Sequence, residues 1–514
     1  MRSFRRIAAL SALLLIAAAP CPVDTQKPVR ADGGAVAGST DPNGVTAYLG
    51  IPFGAPPVGN LRWRPPYPAA RWDGVRDATH FGASCMQTQP GSRLPWTEEF
   101  MTQGPISEDC LYLNVWTAAK PGEKQAVMFF IYGGGFTEGS GSVAVYDGAA
   151  LARKGVIVVN ANYRVGPLGF LVHRELTKES EHHSSGNYGL LDQIAALRWI
   201  QRNIAAFGGD PANVTIFGQS AGGMSVADLM RSPIAQGLFA RAIVESGAGL
   251  FPDSLINGGL TFAQREEQGV KYAESKGAHS LAELRDIPAA DFFKNSPGAP
   301  GGSGPVTDGW VLTANHPAKE VPVIVGMVSG DAAFVGGFGP PQAPTVANFT
   351  ATARKTFGDK ADAYLKLYNP QSDAGAAAIK SASQTDQARV SIDVWSDEQL
   401  KRSGKVYTYY FDRGIPWPAH PEFGAFHSAE LPYIFETLHK MDRPWTSVDE
   451  KLSEEMSSYW SNFAKSGDPN GAGLAPWRVY APGNHVTMEL GEHSGSIPVA
   501  EPAKVEFFVS YLKK

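Results

Sequence analysis

The chain has 514 residues, of which 43% are hydrophobic and 18% charged, with a formal net charge of −5. These are the proportions of a globular protein with room for a large core. No basic run occurs, which excludes the usual footprint of a nucleic-acid partner.

Arg2, Arg5 and Arg6 precede an apolar run, Ile7 to Ala19, that ends in small residues. That pattern predicts a secretory signal peptide ending near residue 21, hence a secreted or periplasmic protein. An N-terminal anchor is the alternative, and Cys21 is a candidate for lipidation, although Pro20 is a poor neighbour for it. Past Ala19 no stretch reaches the roughly 18 apolar residues that a membrane span needs. Cys85 and Cys110 remain as a candidate disulfide; two separate buried thiols are the alternative. No Cys/His cluster has zinc spacing, and no cofactor is predicted.

Residues 22–30 read as a mobile lead-in, and residues 28–514 as a single domain. A strand pattern runs through Ala47-Tyr48-Leu49-Gly50-Ile51-Pro52, followed by a proline-rich surface run, Ala55 to Pro66. The loop between the cysteines carries Leu94, Trp96 and Phe100, which either wall a pocket or form the loop's own small core. Ser107 to Val115 reads as a strand. Ala126 to Tyr132 is a continuous apolar run of strand length, as expected where both faces of a sheet are covered. It runs into Gly133-Gly134-Gly135-Phe136. Glycines after a buried strand leave backbone N–H groups bare and able to face an anion, and the segment matches an HGGG-type oxyanion loop with Tyr132 in place of histidine. A plain glycine turn is the alternative.

Gly155 to Asn160 is a further buried strand. Leu190 to Phe207 is predicted helical, with Leu191, Ile194, Leu197, Ile200 and Ile204 on one face. Val214 to Gln219 enters the pentad Gly218-Gln219-Ser220-Ala221-Gly222, and a helical run leaves it. Strand, turn and helix in that order are what a nucleophile elbow requires. With 56 glycines in the chain, about 0.4 such pentads would arise by chance, so the motif needs support from elsewhere. Ala242 to Glu245 and Val321 to Gly326 read as strands, with a cap-like insertion of short helices and loops between them. A helical region spans 346–402, Val406 to Phe411 is a late strand, and a Pro- and aromatic-rich loop ends at His427. A helix near 454–464, Trp477 and a strand-like tail follow. Alternation of strands and long crossovers predicts an α/β fold with a mostly parallel central sheet flanked by helices and with cap insertions over the site; together with the elbow this is the pattern of an α/β-hydrolase fold.

Serine-dependent ester hydrolysis needs a hydroxyl, an imidazole, an orienting carboxylate and oxyanion donors. Ser220, Asp331 and His427 stand in the order Ser, acid, His expected of α/β-hydrolases. Asp308 is the fallback acid and His420 the rival base. The segments Gly50 to Arg62, Ser107 to Asn114, Tyr132 to Phe136, Asn162-Tyr163-Arg164, Gly186 to Asp192, Phe207 to Gly223, Pro305 to Gly309 and Gly424 to His427 together resemble the type B carboxylesterases, the family of para-nitrobenzyl esterases and cholinesterases. The resemblance spans nearly the whole chain past the leader. It implies Ser220 as nucleophile, His427 as base, an oxyanion hole from the N–H groups of Gly134, Gly135 and Ala221, and a Cys85–Cys110 bridge. It also suggests an Arg62–Glu108 ion pair and supporting places for Ser246 and Glu430.

Two departures stand out. The family acid is usually glutamate, whereas here the segment reads Ser329-Gly330-Asp331-Ala332; aspartate is one methylene shorter, so the histidine loop must come closer. Gln219 replaces a more common glutamate beside the serine, a change expected to alter no role. Trp96, Phe100, Phe334 and Trp417 are candidate pocket walls. A small neutral aryl or alkyl ester with a short to medium acyl chain is the expected substrate. The alternatives are a bulky natural ester, a polyester or an amide. A catalytically inactive cholinesterase-like binding module is the rival of another class, against which the complete set of catalytic residue types argues.

Overall fold

The computed structural model describes residues 28–89, 91–250, 260–294, 304–314, 321–334, 343–402 and 404–513. The predicted signal peptide and Cys21 lie outside the described residues. The described residues form a mixed sheet of 11 strands: β1 (Ser39–Thr40), β2 (Thr46–Pro52), β3 (Tyr112–Thr117), β4 (Gln125–Ile131), β5 (Val156–Ala161), β6 (Gly209–Gln219), β7 (Arg241–Glu245), β8 (Val323–Val328), β9 (Val406–Phe411), β10 (Val486–Leu490) and β11 (Gly495–Pro498). Their order across the sheet is β11-β10-β9-β8-β7-β6-β4-β5-β3-β2-β1. From β5 to β10 neighbours run parallel, and the pairings outside them are antiparallel.

The central strands are apolar on both faces because helices cover both. In β4, Ala126 to Ile131 are all buried, and each large side chain there contributes about 1.5–3 kcal/mol on leaving water. The covering helices include α1 (Tyr188–Asn203), which buries Leu190, Ile194, Leu197 and Ile200, and α2 (Ala221–Arg231), which follows β6 directly. Between β7 and β8 lie α3 (Phe262–Ser275) and α4 (Leu281–Asp286), the predicted insertion of short helices. The helical region after β8 resolves into α5 (Val346–Phe357) and the 28-residue α6 (Asp373–Leu400). α7 (Ser447–Ser466) begins with a capping box between Thr446 and Asp449, which satisfies end N–H groups.

Three expectations are corrected. Residues 29–30 are not a loose lead-in: Val29–Ala31 pairs with Gly34–Ala37, which pairs in turn with Val75–Asp77. Strand β6 begins at Gly209, ahead of the expected Val214, because Gly209 pairs with Gln125 across an irregularity that accommodates Pro211. The tail is not all strand: after β11 the chain ends in α8 (Pro502–Leu512), whose Phe508 joins a second apolar cluster with Phe349, Phe357 and Tyr364. Among the described residues no helix is long and apolar enough to cross a membrane.

Candidate active site

Strand β6 delivers Ser220 to the C-terminal edge of the sheet, in the turn before α2. Ser220 has φ 60° and ψ −124°, a conformation that non-glycine residues adopt only where the surroundings impose it. Its N–H donates to the carbonyl of Glu245 on β7 at 2.9 Å, and its carbonyl accepts from Met224 N–H at 2.9 Å. The flanking glycines are forced by space: a Cβ on Gly218 would lie 2.5 Å from the carbonyl oxygen of Ile131 and 2.7 Å from Gly222. A strained, half-buried serine at the tip of a strand-turn-helix is the geometry of a nucleophile elbow.

The loop after β4 lies against this turn. A Cβ on Gly133 would stand 2.9 Å from Ser220 Cβ. Gly134 and Gly135 have φ 109° and 61°, open to glycine at little cost. Tyr132 anchors the loop from below. Its ring stacks on Tyr163 at 4.4 Å, its hydroxyl donates to the Tyr163 carbonyl at 3.1 Å, and the Tyr163 hydroxyl donates to the Tyr132 carbonyl at 2.9 Å. The N–H groups of Gly134, Gly135 and Ala221 donate to no acceptor among the described residues.

His427 and Asp331 meet across 96 residues of sequence: His427 Nδ1 lies 2.5 Å from Asp331 Oδ1. Asp331 is inaccessible to solvent, and its other oxygen accepts from Val328 N–H at 3.0 Å. A carboxylate held at both oxygens fixes the ring that it faces. The fallback residues are elsewhere. Asp308 accepts from the N–H groups of Trp310 and Leu312 and from the Ser184 hydroxyl, bracing its own turn. His420 Nδ1 sits 3.0 Å from Glu422.

The other ring nitrogen of His427 faces Gln219, whose Nε2 is 3.3 Å from His427 Nε2. Ser428 Oγ donates to Gln219 Oε1 at 3.2 Å. Gln219, whose replacement of glutamate was expected to alter no role, is thus in contact with the imidazole; the substitution was visible in the sequence, but not where the amide points. Ser428 and Gly330 were also missed, since neither residue type announces a function.

The Cys85–Cys110 disulfide is formed, and its loop braces the histidine. Trp96 Nε1 donates to the His427 carbonyl at 3.0 Å and lies 3.3 Å from Ser428 Oγ. Trp96 and Phe100 pack edge-on against Phe426, at 6.2 and 5.5 Å between ring centroids. Of the four candidate pocket walls, these two therefore support the His427 loop, and Phe100 is buried. Trp417 packs on His420 and Phe423, with the Arg443 guanidinium 4.2 Å from its ring centre. The Phe334 side chain lies outside the described residues.

Behind the pair lie two buried carboxyls. Glu245 accepts from Trp460 Nε1 at 2.6 Å, and burial pushes its carboxyl up to about 8. Glu430 accepts from Tyr409 OH at 3.3 Å and Ser246 Oγ at 3.5 Å; burial, then the nearby charges of Glu245 and Asp331, hold it well above the usual range. A protonated Glu430 adds no second negative charge beside Asp331. Arg62 and Glu108 form a bidentate pair at 2.7 Å.

Residues 25–507 match the model of the carboxylesterase family. The chain is 37% identical over 476 residues to the fumonisin B1 esterase of Sphingopyxis macrogoltabida, covering 88% of this chain and 84% of that protein. It is 35% identical over 500 residues to the para-nitrobenzyl esterase of Bacillus subtilis (strain 168), covering 91% and 95%. A solved PNB esterase structure superposes with a TM-score of 0.77 at 32% identity, covering 94% of this chain and 99% of that one. A family match over almost the whole chain, with relatives of this identity and coverage, establishes that the chain belongs to the carboxylesterase family and is a carboxylic ester hydrolase.

Proposed function

We propose that residues 28–514 act as one catalytic domain that cleaves carboxylic esters through an acyl-enzyme on Ser220. The observation that carries this reading is the contact of His427 Nδ1 with the doubly held Asp331 carboxylate, beside a serine held at φ 60°.

In this mechanism Ser220 Oγ attacks the ester carbonyl while His427 Nε2 takes its proton. Asp331 keeps the ring oriented and stabilises the imidazolium. The carbonyl oxygen becomes an oxyanion, received by the N–H groups of Gly134, Gly135 and Ala221; one such donor is worth about 3–4 kcal/mol in the transition state. The imidazolium gives its proton to the departing alcohol. Water, deprotonated by His427, then attacks the acyl-serine, and Ser220 recovers the proton as the acid leaves. Side chains and backbone supply every group these steps use.

The proposed substrate is a small neutral ester with a short to medium acyl chain. The esters named for its relatives, fumonisin B1 and para-nitrobenzyl esters, differ widely from one another. Export through the N-terminal leader accords with the disulfide, which is stable in an oxidising compartment. Release of p-nitrophenol from p-nitrophenyl esters of increasing acyl length tests the reading. Activity that is greatest at short chains and lost in Ser220→Ala is expected. Wild-type turnover by Ser220→Ala would overturn it.

A further inference from the structure

We propose that Gln219 is a positioning residue that selects the base-competent tautomer of His427, through a one-directional chain of hydrogen bonds starting at Trp96. The inference rests on the reading of His427 as the general base.

The chain is ordered by donor capacity. The indole of Trp96 can only donate, and its Nε1–H, which donates to the His427 carbonyl at 3.0 Å, also reaches Ser428 Oγ at 3.3 Å. With that oxygen accepting, the Ser428 hydroxyl donates to Gln219 Oε1 at 3.2 Å. The amide oxygen is thereby engaged on the Ser428 side, and the NH2 group faces His427 Nε2 at 3.3 Å. Ser428 is held for this by φ 90°, a left-handed value uncommon for serine. Gln219 is buried, so water does not compete for the amide.

An N–H group facing Nε2 demands a lone pair there. That places the ring proton on Nδ1, where Asp331 Oδ1 stands at 2.5 Å. A neutral ring with Nδ1–H and a basic Nε2 is the form that can take a proton from a serine hydroxyl. The same NH2 group opposes a proton on Nε2. A glutamate at this position would be acceptor-only and would favour the imidazolium instead.

Among the described residues, the charged and titratable groups on this side of the site include Asp331 at Nδ1, Glu430 and Glu245 behind Asp331, Tyr409 beside Glu430, and the Arg93–Glu138 ion pair beyond the Trp96 ring. None is altered in the variants below.

The test is the pH profile of kcat/KM on p-nitrophenyl butyrate for the wild type, Gln219→Glu, Ser428→Ala and His427→Ala. The acid limb of Gln219→Glu is expected to move to higher pH by about one unit, the size of one nearby charge acting on the ring. Ser428→Ala removes the group that engages the amide oxygen, so the amide can turn that oxygen to a protonated ring; its limb is expected to move the same way by less. An acid limb that stays in place in both variants, or moves to lower pH, overturns the inference, as does a lowered plateau with no shift. Should Gln219→Glu not fold, Ser428→Ala decides alone. Wild-type activity in His427→Ala would instead overturn the reading of the base itself.

Discussion

The N–H of Gly330 donates to the carbonyl of Ala425 at 2.9 Å, tying the turn that carries Asp331 to the loop that carries His427. With this contact in place, the aspartate carboxylate reaches the His427 ring. A Cβ at residue 330 would lie 2.5 Å from the Ala425 oxygen and 3.0 Å from Phe426 Cα. Glycine lets the loop sit directly on the turn, and the shorter acid then reaches the ring.

Two substitutions test that relationship. Gly330→Ala pushes the loop outward, and Asp331→Glu places an extra methylene in a gap already closed at 2.5 Å. Each is expected to lower kcat about 10- to 100-fold, since a displacement of about 1 Å at a catalytic pair costs on that order. Circular dichroism should show both folded. Undiminished kcat in both would mean that the spacing of turn and loop is unimportant.

The disulfide loop should act on both stability and turnover. Paired replacement of Cys85 and Cys110 by serine is expected to cost about 3 kcal/mol, the chain-entropy value for a loop of this length, read as a lowered denaturant midpoint. Trp96→Phe keeps the ring contact with Phe426 and deletes the one N–H that is shared between His427 O and Ser428 Oγ. A roughly three- to tenfold fall in kcat at little change in the midpoint is expected, of the order of one lost hydrogen bond. Loss of stability without loss of kcat in Trp96→Phe would make the contact purely structural.

The strain at Ser220 gives a prediction of opposite sign. A residue held at φ 60°, ψ −124° costs on the order of 1–3 kcal/mol, which glycine relieves while gaining some freedom in the unfolded chain. Ser220→Gly should therefore be inactive yet about 1 kcal/mol more stable than Ser220→Ala. Equal stability of the two would show that the turn is not strained.

Stability should fall as pH rises toward 8. The folded-state carboxyl of Glu245 is raised from about 4.5 to about 8 by burial. Between those values the folded chain binds more protons than the unfolded one, so the contribution is full below the unfolded value and declines as pH rises through the folded one. Glu430 shifts in the same direction. The Tm measured from pH 5 to 8 should drop, and Glu245→Gln should flatten that slope. A slope unchanged in the variant would assign the dependence to other groups.

Much of the sheet is legible in the sequence because its central strands are apolar on both faces, as in Ala126–Ile131, and the long crossovers between them point to parallel pairing. The elbow is legible because the turn admits no side chain at Gly218 or Gly222. The strand Val29–Ala31 was hidden because a three-residue edge strand carries almost no periodicity. The roles of Gln219, Gly330 and Trp96 were hidden for another reason: each is defined by a partner far along the chain, at residues 427, 425 and 427. Trp96 and Phe100 have the composition of a pocket wall, and only their contacts with Phe426 show them supporting the histidine loop.

Ser220 is proposed as a nucleophile activated by His427. Incubation with a fluorophosphonate, followed by mass spectrometry of the peptide spanning Ser220, tests it most directly. Stoichiometric labelling on Ser220 is expected in the wild type, slowed by several orders of magnitude in His427→Ala. Labelling at another residue, or equal rates in the two proteins, would contradict it.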